Sequence, residues 1–262
     1  MKLDLYKINS FTDDISKGNP ACVIRLKKWL SDDVLLKIAK KNAVAETAFF
    51  IKNKSNFHLR WFTPEIEMDL CGHATLAAAH CLKSILDYKN NQIIFETLSG
   101  ELKVGFDHEY YLMDLPSRMP IVSHLPEIIM ESLNILPKEV YKSRDYLLVY
   151  ENENQINNVK INKVIFDKIN LDPGGVIVTS SGDNCDFVSR YFTPQSSILE
   201  DPVTGSSHCS LTPFWAKRLN KESLVARQIS ERGGALKCLN NGNRVTISGK
   251  AKTCSIGKIL IQ

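Results

Sequence analysis

The chain has 262 residues, with 33 Lys and Arg against 29 Asp and Glu and a formal net charge of +4. With 44 % hydrophobic and 24 % charged residues and a mean hydropathy of −0.15, its composition is that of a folded globular protein and excludes intrinsic disorder. So small a positive balance gives no support to a nucleic-acid partner, and no run of about 18 apolar residues is present to cross a membrane.

In chain order, residues 1–5 read as a strand, because Asp4 interrupts any apolar core of a signal peptide. Residues 21–25, 47–51 and 57–62 are short, apolar or alternating, and rich in β-branched or aromatic side chains, which predicts strands. Between the first two, residues 31–41 put Ser31 at a cap position and Val34, Leu35, Ile38 and Ala39 at helical spacing. Residues 72–86 are Ala-rich, without Pro and without Gly after the start, and predict a buried helix. Residues 93–98 and 101–106 predict a hairpin, and the polar, Asn-rich residues 151–158 a surface loop. Residues 176–180 and 186–192 predict strands. Residues 206–219 predict a helix that Pro213 should end or kink, unless a late start puts it in the first turn. Residues 230–238 and 244–248 predict a second hairpin. The cysteines at 22, 71, 81, 185, 209, 238 and 254 are odd in number and have no framework spacing. They read as reduced thiols of a cytoplasmic protein.

The chain repeats itself. Arg60-Trp61-Phe62-Thr63-Pro64 returns 130 residues later as Arg190-Tyr191-Phe192-Thr193-Pro194. The string from Asp69 to Leu76 is answered by the string from Asp201 to His208, with Gly72 and Gly205 133 apart. Ser99-Gly100-Glu101-Leu102-Lys103 matches Gly233-Gly234-Ala235-Leu236-Lys237 at an offset of 134. Three matches in one order imply two lobes of one topology, with about three extra residues in the second lobe's loop. The boundary falls near 117–126, giving lobes 1–118 and 119–262, with the last strand free to pack back on the first lobe.

Each copy runs from a strand ending in Thr-Pro, through a loop, into a small-residue turn that opens a helix. These turns are Cys71-Gly72-His73-Ala74 and Thr204-Gly205-Ser206-Ser207. Helix N-termini carry unpaired N–H groups and roughly half a positive charge, and glycine lets a ligand approach the backbone. Two such ends facing each other across an interlobe cleft would hold a carboxylate or a developing enolate. The bland alternative is plain capping by Asp69 and by Thr204 or Ser206. Glu46 lies in the apolar string Ala43-Val44-Ala45-Glu46-Thr47-Ala48-Phe49-Phe50. It is either a solvent-facing strand residue or a buried acid/base. Asp201, before Pro202, is a turn residue or a polarising acid. His73 and His208, just inside the two junctions, could orient a carboxylate or carry a proton. His58, His80, His108 and His124 read as structural. Neither Cys71 with His73 nor His208 with Cys209 has zinc spacing. No P-loop or dinucleotide fingerprint occurs, so metal and nucleotide cofactors have no sequence support.

Several strings together resemble the PhzF family of phenazine-biosynthesis isomerases, over about residues 5–250. They are Phe11-Thr12, Gly18-Asn19-Pro20-Ala21, Glu46-Thr47-Ala48-Phe49, Arg60–Pro64, Asp69-Leu70-Cys71-Gly72-His73-Ala74-Thr75, Glu200-Asp201-Pro202-Val203-Thr204-Gly205-Ser206 and Arg232-Gly233-Gly234. The resemblance implies an α+β, diaminopimelate-epimerase-like fold. In it two pseudo-symmetric lobes each wrap a curved, mostly antiparallel sheet around a central helix, and homodimers are common. It implies Glu46 as the base, with His73 and Asp201 beside it. Gly72, Gly205, Ser206 and Asn19 would bind a small carboxylate substrate without a cofactor. Ala45 and Ser207 depart from the family's usual Ser and Ala. Racemases of the same fold use two cysteines, one per lobe. Here Cys71 has Thr204 as its repeat partner, and a hydroxyl is too weak an acid to replace a thiol. The expectation is therefore a single-carboxylate proton shift, that is, an isomerase. The alternatives are an epimerase or racemase, and a non-catalytic carboxylate-binding or interaction protein.

Overall fold

A computed structural model describes residues 1–172 and 174–261. Pro173, and Gln262 at the end of the expected second lobe, lie outside the described residues. The chain opens with strands β1 (Lys2–Ser10) and β2 (Asn19–Arg25), helix α1 (Asp32–Asn42), strands β3 (Glu46–Asn53), β4 (Asn56–Phe62) and β5 (Glu67–Met68), and helix α2 (Gly72–His80). Strands β6 (Gln92–Thr97), β7 (Gly100–Asp107), β8 (Tyr110–Pro116) and β9 (Ile121–Val122) follow, then α3 (Glu127–Ser132), β10 (Glu139–Lys142) and β11 (Tyr146–Val149). Next come α4 (Glu153–Asn158), α5 (Lys163–Phe166), β12 (Val176–Ser181), β13 (Phe187–Phe192), β14 (Glu200–Asp201) and α6 (His208–Leu219). Four strands close the chain: β15 (Ser223–Gln228), β16 (Gly234–Asn240), β17 (Arg244–Gly249) and β18 (Ala251–Leu260). Two compact units result: Met1–Leu115 with Ile247–Gln262, and Pro116–Thr246.

The two units repeat one strand order. In the first the order is β18-β1-β2-β3-β4-β6-β7-β8, antiparallel except at β2/β3 and β4/β6. In the second it is β9-β10-β11-β12-β13-β15-β16, antiparallel except at β11/β12 and β13/β15. The parallel crossovers are made by helices in both: α1 joins β2 to β3, α4 and α5 join β11 to β12, and α2 and α6 serve the second crossover of each unit. Every residue of α2 is buried, as is α6 from His208 to Ala216. A helix buried on all sides belongs inside its unit, and this is the mixed α+β architecture the family resemblance implied. Behind the first sheet, α1 packs Leu35 and Ile38 against Ile24, Phe49 and Phe62. In the second unit, Ile156 and Phe166 pack against Leu148, Val176, Val178 and Val188.

The repeated Arg-aromatic-Phe-Thr-Pro string has a shared structural cause. Arg60 donates from Nε and Nη2 to the two oxygens of Glu67, both at 2.6 Å. Arg190 does the same to Glu200 at 2.7 and 2.8 Å. Each guanidinium also covers the Phe two residues on, at 5.0 Å over Phe62 and 4.9 Å over Phe192. These forks fasten the short strands β5 and β14 that lead into the central helices. The Thr-Pro loops close by Thr63 N–H to Ile66 O and Thr193 N–H to Leu199 O, so the extra residues of the second copy sit inside that loop. Arg190→Ala should cost about 1–3 kcal/mol in urea unfolding, because Glu200 and two backbone carbonyls then lose a charged, half-buried donor.

Three local expectations need correction. Residues 151–158 are not a plain loop: the Asn152 side chain accepts from Gln155 N–H, Glu151 N–H donates to Gln155 Oε1, and α4 buries Ile156. The spacing Asn-x-x-Gln is a capping pattern. The helix from Gly72 does not stay α-helical to Leu86 but turns to π geometry over Cys81–Ile85. Ser31 does hold the N-cap position of α1, as expected, though its side chain makes no cap bond. Helix α6 starts at His208 and runs through Pro213 to Leu219. Proline has no N–H for the carbonyl four residues back, and that carbonyl, on Cys209, accepts instead from Arg118 N–H at 2.8 Å.

Candidate active site

Glu46 stands at the first position of β3, three residues after the left-handed Ala43 (φ 50°) that ends α1. Its register partner on β2 is Ala21. Helix α2 begins beside it. Cys71 occupies the N-cap and contributes no capping hydrogen bond, so the first turn has no side-chain oxygen from that position. Ser99 Oγ donates to Asp69 O at 2.7 Å, and Ser10 Oγ to His73 O at 2.6 Å, fixing the approach to the helix and its first turn. Asn19, at the head of β2, is the register partner of that Ser10 and is fully buried. Gly18 before it has φ +71°, and a Cβ there would lie 2.4 Å from Ser10 O, so the turn demands glycine.

The result is a line of three titratable groups. His73 Nε2 lies 3.0 Å from Glu46 Oε2, and His73 Nδ1 lies 3.6 Å from Cys71 Sγ. The side chains of His73 and Glu46 are 3 % and 15 % exposed. Neither Nε2 nor Oε2 has a well-aligned hydrogen bond, so the contact is a charged approach. Burial works against the His73 imidazolium. The negative charges of Cys71 and Glu46 outweigh it and hold the ring well above the usual histidine range. Burial, then the Glu46 charge, push the Cys71 thiol up. The ring therefore keeps its proton between two acidic groups, the sulfur at Nδ1 and the carboxylate at Nε2.

The ligand atoms of Glu46, Cys71 and His73 all lie within 4.8 Å of one another. The imidazole stands between the other two, however, and turns Nδ1 to the sulfur and Nε2 to the carboxylate. One ion cannot use both nitrogens, so the arrangement suits proton passage better than a metal cage.

The second unit builds its junction differently. Thr204 Oγ1 donates to Asp201 Oδ2. Gln228, buried at the end of β15, accepts from Thr204 N–H at 2.9 Å and donates to Asp201 O at 2.7 Å and Thr204 Oγ1 at 3.2 Å. Ser230 Oγ adds a 2.6 Å bond to Pro202 O. After this clamp the chain makes a tight turn, in which Gly205 O and Ser206 O accept from His208 and Cys209 N–H. Thr204 and Ser206 do not cap α6, whose N-cap Ser207 makes no side-chain cap bond either. His208 Nδ1 donates to Thr204 O at 2.8 Å, and burial pushes its pKa down to about 4. It is a neutral structural histidine and not the counterpart of His73. Gln228→Ala should destabilise the fold by about 1–3 kcal/mol, through two lost donors and one lost acceptor. The Thr204 amide should lose hydrogen-exchange protection before the core does.

A family model described as phenazine biosynthesis-like protein matches residues 8–257. The chain belongs to this family. An uncharacterized isomerase of Pseudomonas aeruginosa is 41 % identical over 260 residues, 99 % of either chain. The crystal structure of a PhzF-family phenazine biosynthesis protein from Enterococcus faecalis matches with a TM-score of 0.94 at 41 % identity, covering 100 % of both chains. A hydroxyproline epimerase from Agrobacterium vitis matches at a TM-score of 0.62 and 9 % identity over 98 % of this chain and 92 % of its own, and shares the fold alone.

The residues that carry the PhzF-family strings fall into two constellations. The first unit brings together Glu46, His73, Gly72 and the segment of Asn19, and adds Cys71. The second brings together Asp201, Gly205 and Ser206, and adds Thr204 and Gln228. Gln228 is the residue that sequence reasoning missed. Its only signal was a polar side chain ending a strand just before the Gly233-Gly234 turn. No helix among the described residues is long and apolar enough to cross a membrane.

Proposed function

We propose that this protein is a cofactor-independent isomerase that moves a proton between two atoms of one small carboxylic acid. The observation that carries this reading is the Glu46 carboxylate, held 3.0 Å from a buried His73 at the start of α2. Relatives named as uncharacterized isomerases support the class and leave the chemistry to the site.

The substrate carboxylate is assigned to the N–H groups at the start of α2, beside Glu46. Helix ends favour negative charge there. Glu46 takes the proton from carbon, leaving an enolate whose charge those N–H groups also stabilise. The same Glu46 then returns that proton to another carbon of the conjugated system, so no proton or electron is gained or lost overall. His73, which keeps its proton beside Glu46, orients the substrate carboxylate. A two-base racemisation fits less well, because the hydroxyl of Thr204 is engaged by Asp201 and has no thiol chemistry.

The test is a panel of small unsaturated carboxylic acids incubated with enzyme in D₂O and read by NMR. Enzyme-dependent C–H exchange with a shifted double bond supports the reading. Exchange with loss of stereochemistry and no shift assigns an epimerase, and exchange of no acid assigns a binding protein.

A further inference from the structure

The first unit holds an open pocket of about 380 Å³ away from Glu46. Arg25 at the end of β2, Lys52 and Lys54 at the β3–β4 turn, and Tyr88 in the segment after α2 line it, over a floor that includes Phe57. Lys52 is six residues beyond Glu46 on the same strand, about 20 Å at strand rise. Helix α2 likewise starts at the Glu46–His73 pair and ends here. The pocket and the acid/base pair therefore occupy opposite ends of the unit.

Its charge is one-sided. Four cations, counting Lys89, face a single carboxylate, Asp87. Lys89 Nζ already holds Asp87. Arg25, Lys52 and Lys54 make no ion pair among the described residues. The carboxylate that acts on Lys54 from behind the hairpin, Glu96, accepts hydrogen bonds from Asn53 and Asn56. The floor is apolar: Phe57 is buried and meets the half-buried Tyr88 edge to face at 5.4 Å.

The backbone around the pocket is unusual as well. Lys54 (φ 52°) and Asp87 (φ 55°) both take the left-handed conformation that non-glycine residues seldom adopt. Leu82, from the π turn Cys81–Ile85, also lines the pocket, and such turns recur at functional sites. Unpaired cations, two left-handed residues and a π turn thus meet around one cavity.

We propose that this pocket binds a small phosphate-bearing metabolite. The Arg25 guanidinium, with its planar fork of donors, and the ammonium groups of Lys52 and Lys54 take the phosphate. Phe57 and Tyr88 take the apolar or ring portion. Recognition is by side-chain cations, so the absence of a glycine-rich phosphate loop from the sequence is no obstacle.

Calorimetric titration of the full chain with AMP, inorganic phosphate and adenosine at low salt tests this. AMP should bind saturably at one site with a Kd below about 1 mM. Inorganic phosphate should bind more weakly and compete with it, adenosine should not bind measurably, and added salt should weaken both anions. The double variant Arg25→Glu, Lys52→Glu, at two exposed positions, should lose at least about tenfold in AMP affinity, while Glu46→Gln should bind AMP as the parent does. Absence of saturable binding, or binding that survives the double charge reversal, would overturn the proposal. Either result leaves the isomerase reading untouched, since that rests on Glu46.

Discussion

Glu46→Gln should abolish proton transfer while leaving the fold intact. Gln keeps the shape of Glu and can still contact His73, but it cannot take a proton from carbon. Positioned acid/base groups contribute about 10²–10⁴-fold, and a site with one base has no second group to fall back on. Enzyme-dependent deuterium incorporation from D₂O into any acid the parent turns over should therefore drop by at least about a hundredfold. Circular dichroism should match that of the parent, because Glu46 is the first residue of its strand and part-exposed, and the melting temperature should fall only by what its contact with His73 contributes. Full turnover in the variant would remove Glu46 from the chemistry and the single-base isomerase with it. His73→Gln gives a graded control. If the histidine orients and does not itself take the carbon-bound proton, its loss should reduce exchange less than the loss of Glu46.

The framework of this site could be read from the residues because the chain states it twice. The Arg60 and Arg190 strings recur since each must supply the same fork to a glutamate just before a central helix. Gly72 and Gly205 recur because each opens that helix. The local pattern alone left the two near-equivalent histidines open, and only the family resemblance pointed to His73. His73 and His208 both follow a small-residue turn, but only a register that puts Glu46 on Ala21 brings a carboxylate to one of them. His208 instead donates to a backbone carbonyl one turn back. Gln228 escaped for a similar reason: its value lies in three bonds to a segment 24 residues or more earlier, and no local pattern encodes that. The uninterrupted helix through Pro213 was hidden too, since its missing donor is replaced by an N–H from Arg118, far away in the chain.

The Glu46–His73 contact also sets a pH dependence of stability, whose sign follows from the raised pKa of the ring. Above the unfolded value of about 6.5, the unfolded histidine has released its proton while the folded one keeps it. The folded state then binds more protons, so stability falls as pH rises. The contribution is fully present below about pH 6.5 and is lost as pH rises through the folded value, at up to about 1.4 kcal/mol per pH unit. Burial pushes His80 and His208 down to about 4, so their effect lies at lower pH and has the opposite sign. The buried thiols of Cys81, Cys209 and Cys238, pushed up to about 12, contribute only once the unfolded thiols ionise, near about pH 8.5. Urea unfolding between about pH 6.5 and 8 should therefore show declining stability in the parent. Glu46→Gln removes one of the two acidic groups that hold the proton on His73, so the decline should be shallower in that variant. Parallel slopes in the two proteins would mean that Glu46 does not control the protonation of His73, and the coupling assigned to this pair would fall.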